Sequence, residues 1–351
     1  MSSLIKKSII PLLAISSAYL YLKPTNPALL ESDVLLDGYK VLSQQRIVAI
    51  DLDPNTGDLH GDYQRTLDAL RVTQLIDEND NWIGNKTVLV QTGDITDRGA
   101  DMVPIYQFLE KLRVQAAEVG GSLHTILGNH DIMQPMRDWR YVHPTEMTYF
   151  NGDLTQREQA FSKDGWIGKL WLKDYLTTVN IPHYSENDGQ KYNLPANLST
   201  QFVHAGLHPS FAYKELNDDG KRWLEKLTNG DRNWSDVEKS LWSPNGPYWF
   251  RGAALDNETK ACAMAKEVMQ TIGAKRIVQG HTPNFDNIVS RCNGGIILID
   301  TGMSKAYGGI VSALEINGYI LSKDDKHYFR EIVKALYQNR SVTLVDETNS
   351  L

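Results

Sequence analysis

Short apolar runs recur along the chain, and each ends close to a glycine and a carboxylate, amide or imidazole. Residues 46–50, 87–91, 122–127, 201–203, 277–279 and 296–299 are brief and rich in β-branched side chains. Runs of this length, bounded by Gly, Asp or Pro, read as strands buried on both faces. Between the first three lie two helical patterns. Residues 63–75 put Leu67, Leu70 and Leu75 on roughly one face, and residues 101–119 carry Ile105, Phe108, Leu109 and Leu112 likewise. Gly120-Gly121 closes the second helix in the manner of a C-cap. Strand, helix, strand, helix, strand is the order of βαβ units around a buried sheet. Residues 134–198 are looser and dense in aromatics, and read as a mostly helical insertion that roofs a site. Near the C-terminus, residues 310–316, Asn317-Gly318 and residues 319–321 read as a β-hairpin turning on its Asn-Gly pair.

Composition narrows the class. The chain has 351 residues, 41% hydrophobic and 23% charged, enough for a folded core in one large domain or two ordinary ones. A net charge of −7 argues against a general nucleic-acid binder. Lys6 and Lys7 precede an apolar run of about 14 residues from Ile9 to Leu22, and Lys23 closes it. That run is shorter than the roughly 20 residues that span a bilayer, and fits a signal-peptide core or a short anchor. Residues 1–32 are therefore read as a signal or anchor segment and linker, and residues 33–345 as a single domain. The expected location is the endomembrane lumen, possible membrane attachment included, with the mitochondrion as second choice. Asn-x-Ser/Thr triplets begin at Asn85, Asn197, Asn233, Asn257 and Asn339 and would permit glycosylation there. The two cysteines, Cys262 and Cys292, lack a zinc-type C-x-x-C spacing. They are either small buried hydrophobes or one disulfide.

Candidate chemistry sits at the strand ends. These carry Asp58 with His60, Asp94, Asn129 with His130, His204, and His281. A lone histidine at a strand end is usually structural, but five such ends in one layered core can converge on one cleft. The set suits two divalent cations about 3.5–4 Å apart. Asp58, His60 and Asp94 would hold the first; Asp94, Asn129, His204 and His281 would hold the second. Imidazole and carboxylate ligands favour Mn, Fe or Zn. Arg98, with Asn129, would face a phosphoryl group, His130 would protonate the leaving oxygen, and Asp97 would orient the His130 ring.

The ordered blocks Gly57-Asp58-Leu59-His60-Gly61, Gly93-Asp94-Ile95-Thr96-Asp97-Arg98-Gly99, Gly128-Asn129-His130-Asp131, His204-Ala205-Gly206 and Gly280-His281-Thr282 resemble the signature of calcineurin-like metallophosphoesterases. Asp97-Arg98-Gly99 resembles the phosphoprotein phosphatase branch. Trp139-Arg140-Tyr141-Val142, Trp249-Phe250-Arg251-Gly252 and Ala306-Tyr307-Gly308-Gly309 look most like Shewanella-like protein phosphatases. The resemblance implies an α/β, four-layer fold with a central β-sandwich flanked by helices, a dinuclear metal site and phosphatase activity. It also implies that Arg251 is a second phosphate-binding arginine. Two positions depart from the pattern. Residues 51–56 intervene between the first strand and Gly57-Asp58, and are expected to bulge while Asp58 and His60 stay in place. Asp131 stands where protein phosphatases commonly have Glu, a shortening that weakens the assignment to protein substrates.

The expected function is metal-dependent hydrolysis of phosphomonoesters on a phosphorylated protein, at phosphotyrosine or phosphoserine/threonine. Two other readings compete: a dinucleoside polyphosphate or inorganic polyphosphate hydrolase, and a non-catalytic phosphate-sensing scaffold.

Overall fold

The computed structural model describes residues 34–51, 61–304 and 308–351. The N-terminal signal segment, Asp58, His60, Ala306 and Tyr307 therefore lie outside the described residues. In chain order the strands are β1 (Leu35–Leu36), β2 (Tyr39–Ile50), β3 (Val88–Gln91), β4 (Ser122–Ile126), β5 (Tyr175–Leu176), β6 (Thr178–Pro182), β7 (Ser199–Val203), β8 (Arg276–Gln279), β9 (Val289–Arg291), β10 (Ile296–Leu298), β11 (Ser312–Lys323), β12 (Lys326–Tyr337) and β13 (Arg340–Ser350). One sheet has the order β13-β12-β11-β2-β3-β4-β5, with β1 added on β2; the other runs β6-β7-β8-β10-β9.

Period-two alternation explains why these runs are almost wholly apolar. Ile47 and Ala49 of β2 meet Val90, Ile126, Phe202, Val278, Ile297, Leu314 and Ile316 in an inner core to which both sheets contribute. The intervening Val48 and Ile50 face the outer core with Leu67, Leu70, Leu89, Ile105 and Leu109. A strand buried on both faces has no polar side to show. Each such side chain contributes roughly 1.5–3 kcal/mol by leaving water. The outer layer on this side includes α1 (Tyr63–Val72) and α2 (Met102–Glu118). Asp62 caps α1, its carboxylate accepting the Arg65 N–H at 3.0 Å. This is the sandwich flanked by helices that the resemblance implies.

β2, β3 and β4 run parallel, as do β7, β8 and β10. Their C-terminal ends deliver Asp51, Asp94, Asn129, His204, His281 and Asp300, all buried. Loops at the carboxyl ends of parallel strands are where open α/β sheets build sites.

Residues 134–198 contain α4 (Leu154–Phe161) and α5 (Trp166–Asp174), which follow the short α3 (Asn129–Met133). This segment also supplies β5 to one sheet and β6 to the other. The C-terminal hairpin differs from the sequence reading. β11 runs through Asn317-Gly318 without turning, and the reversal falls at Asp324-Asp325, with φ of 50° and 57°. Gly318 answers a close approach instead: a Cβ there would stand 1.9 Å from the His183 carbonyl oxygen. Cys262 and Cys292 are joined in a disulfide that ties the helix Glu258–Ile272 to the turn after β9. Among the described residues no helix is long and apolar enough to cross a membrane.

A buried ion cluster joins the two sheets. Glu331 of β12 is paired with Arg276 of β8, whose Nη2 lies 3.1 Å away, and His183 Nδ1 stands 2.9 Å from its Oε1. Burial opposes the Glu331 charge, but the His183 hydrogen bond and the Arg276 cation outweigh it and hold this carboxyl well below the usual range. Burial likewise lowers the His183 pKa and keeps that ring neutral. The folded state thus binds fewer protons than the unfolded chain below the ordinary His value of 6.5 and again below the ordinary Glu value of 4.5. Stability is expected to be full above that window and to fall as pH drops through it. Glu331→Gln strands the Arg276 charge and should cost about 3–5 kcal/mol near neutrality. It should also remove the Glu331 share of the acid dependence, as urea unfolding at a series of pH values would show.

Candidate active site

Asp94 follows the β3 end in a left-handed conformation, φ 56°. Asp97, Arg98 and His281 also have positive φ, at 74°, 61° and 65°. Each costs a non-glycine residue of order 1–3 kcal/mol, and such strain gathers where side chains must be aimed. Gly128 makes room for the Asp94 carboxylate, because a Cβ there would meet Asp94 Oδ1 at 1.9 Å. The vacated volume brings two loops together: the His130 backbone N–H donates to Asp94 Oδ1 at 2.8 Å.

Asp131 staples the same loops. Its carboxylate accepts backbone N–H groups of Asp94 (2.8 Å), Gly128 (2.9 Å), Ile95 (3.2 Å) and Thr96 (3.3 Å). The Tyr106 hydroxyl donates to it at 3.2 Å. Burial pushes this carboxyl up to about 6 against the pull of those backbone donors. The short side chain therefore holds the site's loops together through their backbone donors. Asp131→Leu would strand at least three buried donors. At about 1 kcal/mol or more for each, stability should fall by at least roughly 3 kcal/mol in chemical denaturation of the metal-free chain.

Four predicted ligands meet at one point. His204 Nε2 lies 2.9 Å from Asn129 Oδ1, 3.1 Å from His281 Nδ1 and 3.4 Å from Asp94 Oδ2. Asp94, His204 and His281 each offer a ligand atom within 4.8 Å of the others, and all three are buried. His204 Nδ1 sits 3.0 Å from the Thr92 carbonyl, which places a proton on that nitrogen and turns Nε2 towards the cluster. Burial, and next the Arg251 charge, lower the His281 pKa well below its usual value, so this ring is neutral. Two imidazole nitrogens, an amide oxygen and a carboxylate thus point at one another. Ligands each about 2.1 Å from one cation stand roughly 3 Å apart. The donor set fits a divalent ion.

Around this cluster stand the groups assigned to the phosphoester. Asp97 Oδ2 is 2.7 Å from His130 Nδ1. Burial pushes the Asp97 carboxyl up to about 7, while Gln134, Arg157 and Arg98 pull it down. The Arg98 guanidinium lies against the Tyr141 ring, 4.6 Å from its centroid, and Arg98 Nη2 is 3.5 Å from His130 Nε2. Tyr141, though exposed, also packs on the His130 ring at 5.1 Å. Arg251 Nη1 donates to the His281 carbonyl at 2.7 Å and to Thr282 Oγ1 at 3.0 Å. The structure therefore brings Asp94, Asn129, His204 and His281 together, with His130, Asp97 and Arg98 beside Asp94 and Arg251 bonded to the His281 carbonyl. Asp58 and His60 lie outside the described residues, while Asp51, which precedes them, is buried with its carboxylate against Gly280. Sequence reasoning missed Asp131, Gln134 and Arg157 as supports. Only the adjacency of Asp131 to His130 offered a signal.

The fold and this ligand cluster agree with the comparisons to known proteins. A profile of the calcineurin-like phosphoesterases matches residues 55–285, and the chain belongs to that family. It is 36% identical over 293 residues to an uncharacterized protein of Schizosaccharomyces pombe, covering 82% of this chain and 81% of that protein. Within the family it is related to Shewanella-like protein phosphatases. It is 29% identical to Shewanella-like protein phosphatase 2 of Arabidopsis thaliana, over 78% of this chain and 75% of that one. Among solved structures it resembles a cold-active protein-tyrosine phosphatase of a psychrophilic Shewanella species. That match has a TM-score of 0.63 and 25% identity, over 86% of this chain and 80% of the other.

Proposed function

We propose that the chain is a metal-dependent phosphoprotein phosphatase that hydrolyses phosphomonoesters on tyrosine or serine/threonine. The convergence of Asp94, Asn129, His204 and His281 carries this reading, with the His130–Asp97 pair and Arg98 alongside. When bound, two divalent cations, Mn, Fe or Zn, would grip phosphoryl oxygens and lower the pKa of a water towards ~7. Asp94, Asn129, His204 and His281 would hold one, and Asp58, His60 and Asp94 the other. Arg98 offers its fork of donors to the phosphoryl group, and Arg251 adds a second cation. Asp97 engages Nδ1, and Nε2, 3.5 Å from Arg98 Nη2, is the nitrogen that would carry the proton to the leaving oxygen once Arg98 turns to the phosphoryl group. Asp97 fixes the ring's orientation and stabilises its protonated form.

The names of the relatives support a phosphoprotein as partner. The disulfide and the exposed asparagines of all five triplets support an oxidising, secretory compartment; the Ile9 to Leu22 run suggests attachment to its membrane. With Mn supplied, the wild-type chain should release phosphate from phosphotyrosine or phosphoserine/threonine peptides and lose this activity in chelator. Faster release from inorganic polyphosphate or dinucleoside polyphosphates would reject the protein-phosphatase reading.

A further inference from the structure

The His130–Asp97 pair does not end at Asp97. Gln134 caps the C-terminus of α3, the helix that carries Asn129 and His130. Its Nε2 donates to Asp97 Oδ1 at 2.9 Å and to the His130 carbonyl at 2.7 Å. The Gln134 Oε1 accepts from Arg157 Nη2 at 2.7 Å. Arg157 lies on α4, in the segment that roofs the site, and is fully buried. Its Nε donates to Glu146 Oε1 at 2.7 Å. The rings of Phe161 and Trp139 lie 4.9 and 5.4 Å from the guanidinium carbon.

This chain of contacts has only one sense. A guanidinium has donors and no acceptor, so the Gln134 oxygen must face Arg157. The Gln134 amide NH2 must then face Asp97. Asp97 Oδ1 receives that donor and is confined to accepting, which leaves Oδ2 as the oxygen that shares a proton with His130 Nδ1. Were Arg157 lost, the Gln134 side chain would lose the donor that seats its oxygen and could swing away from Asp97 Oδ1. Asp97 would then lose the contact that aims its Oδ2 at the His130 ring.

We propose that Gln134 and Arg157 are positioning residues for proton delivery by His130, and that α4 enters the site to supply Arg157. The inference rests on the phosphatase reading, and the test separates the two. Wild-type turnover of 4-nitrophenyl phosphate and phenyl phosphate, with Mn loaded, tests the reading itself; no turnover of either ester rejects it. The two esters have nearly one shape, but phenolate leaves less readily and needs the proton more.

For Gln134→Met the expected loss in kcat on phenyl phosphate is about 10–100-fold, the range for groups that orient a first partner. On 4-nitrophenyl phosphate the loss should stay below about threefold, with KM for both esters nearly constant. Added to His130→Ala, the same change should cost nothing more. Arg157→Met should reproduce the pattern, and Arg157→Lys should restore part of it. Metal content and the unfolding midpoint identify a variant that has not folded, in which case Arg157→Lys decides on the same ratio. In the metal-free chain, 15N NMR of the His130 ring should show a changed proton distribution in Gln134→Met. Equal losses on both esters, a further loss in the His130→Ala background, or an unchanged His130 ring would overturn the proposal.

Discussion

Asp94→Asn is expected to lose bound metal and turnover together, with the fold intact. Asp94 is fully buried, and its two oxygens have different work. Oδ1 accepts the His130 backbone N–H at 2.8 Å, and Oδ2 stands 3.4 Å from His204 Nε2. An asparagine keeps an acceptor for the first contact. It replaces the second oxygen with an NH2 that turns a donor towards His204 Nε2. That donor then stands in the place of the cation, and one negative charge is gone. The metal-free variant should unfold at the same denaturant concentration as the metal-free parent, or a higher one. Its kcat/KM with Mn should fall by roughly 10³-fold, equivalent to about 4 kcal/mol of transition-state stabilisation. Metal analysis after gel filtration, together with phosphate release, reads both effects. Retained metal with lost turnover would move Asp94 from ligand to some other role.

His130→Ala should separate what Asp94→Asn joins. The ring leaves, but the residue's backbone N–H still donates to Asp94 Oδ1, so the carboxylate keeps its partner. Metal content should therefore hold near the parental level. Loss of a general acid costs typically 10²–10⁴-fold in turnover, and the drop should be read in kcat more than in KM. It should also grow as the leaving group worsens, because a good leaving group needs no proton. Full turnover in this variant would reject His130 as the acid.

How much of this was readable beforehand depended on range. The buried strands announced themselves because both faces are apolar, and Ile47 to Ile50 form a run with no polar interruption. The cargo at the strand ends was legible because most of the ligands adjoin a glycine, and such glycines let neighbouring loops approach, as Gly128 does for Asp94. Interactions across the fold were not legible in that way. Arg157 reaches Gln134 from 23 residues away, at a spacing that no helix or turn imposes. Cys262 and Cys292 stand 30 residues apart, and their pairing waited on the packing of a helix against a turn. Asn317-Gly318 misled because a local turn signal was overridden by tertiary context. The glycine is there for the His183 carbonyl, and the real turn uses Asp324 and Asp325, acidic residues that also tolerate positive φ.

The central claim is that distant loops meet to bind divalent ions that act on a phosphoester. Calorimetric titration of Mn into the metal-free chain, with phosphate release followed on the same samples, tests it most directly. Saturable binding that turns on hydrolysis in step, and is absent in Asp94→Asn, is the predicted result. Hydrolysis that survives complete chelation, or Mn binding undiminished in Asp94→Asn, would contradict it.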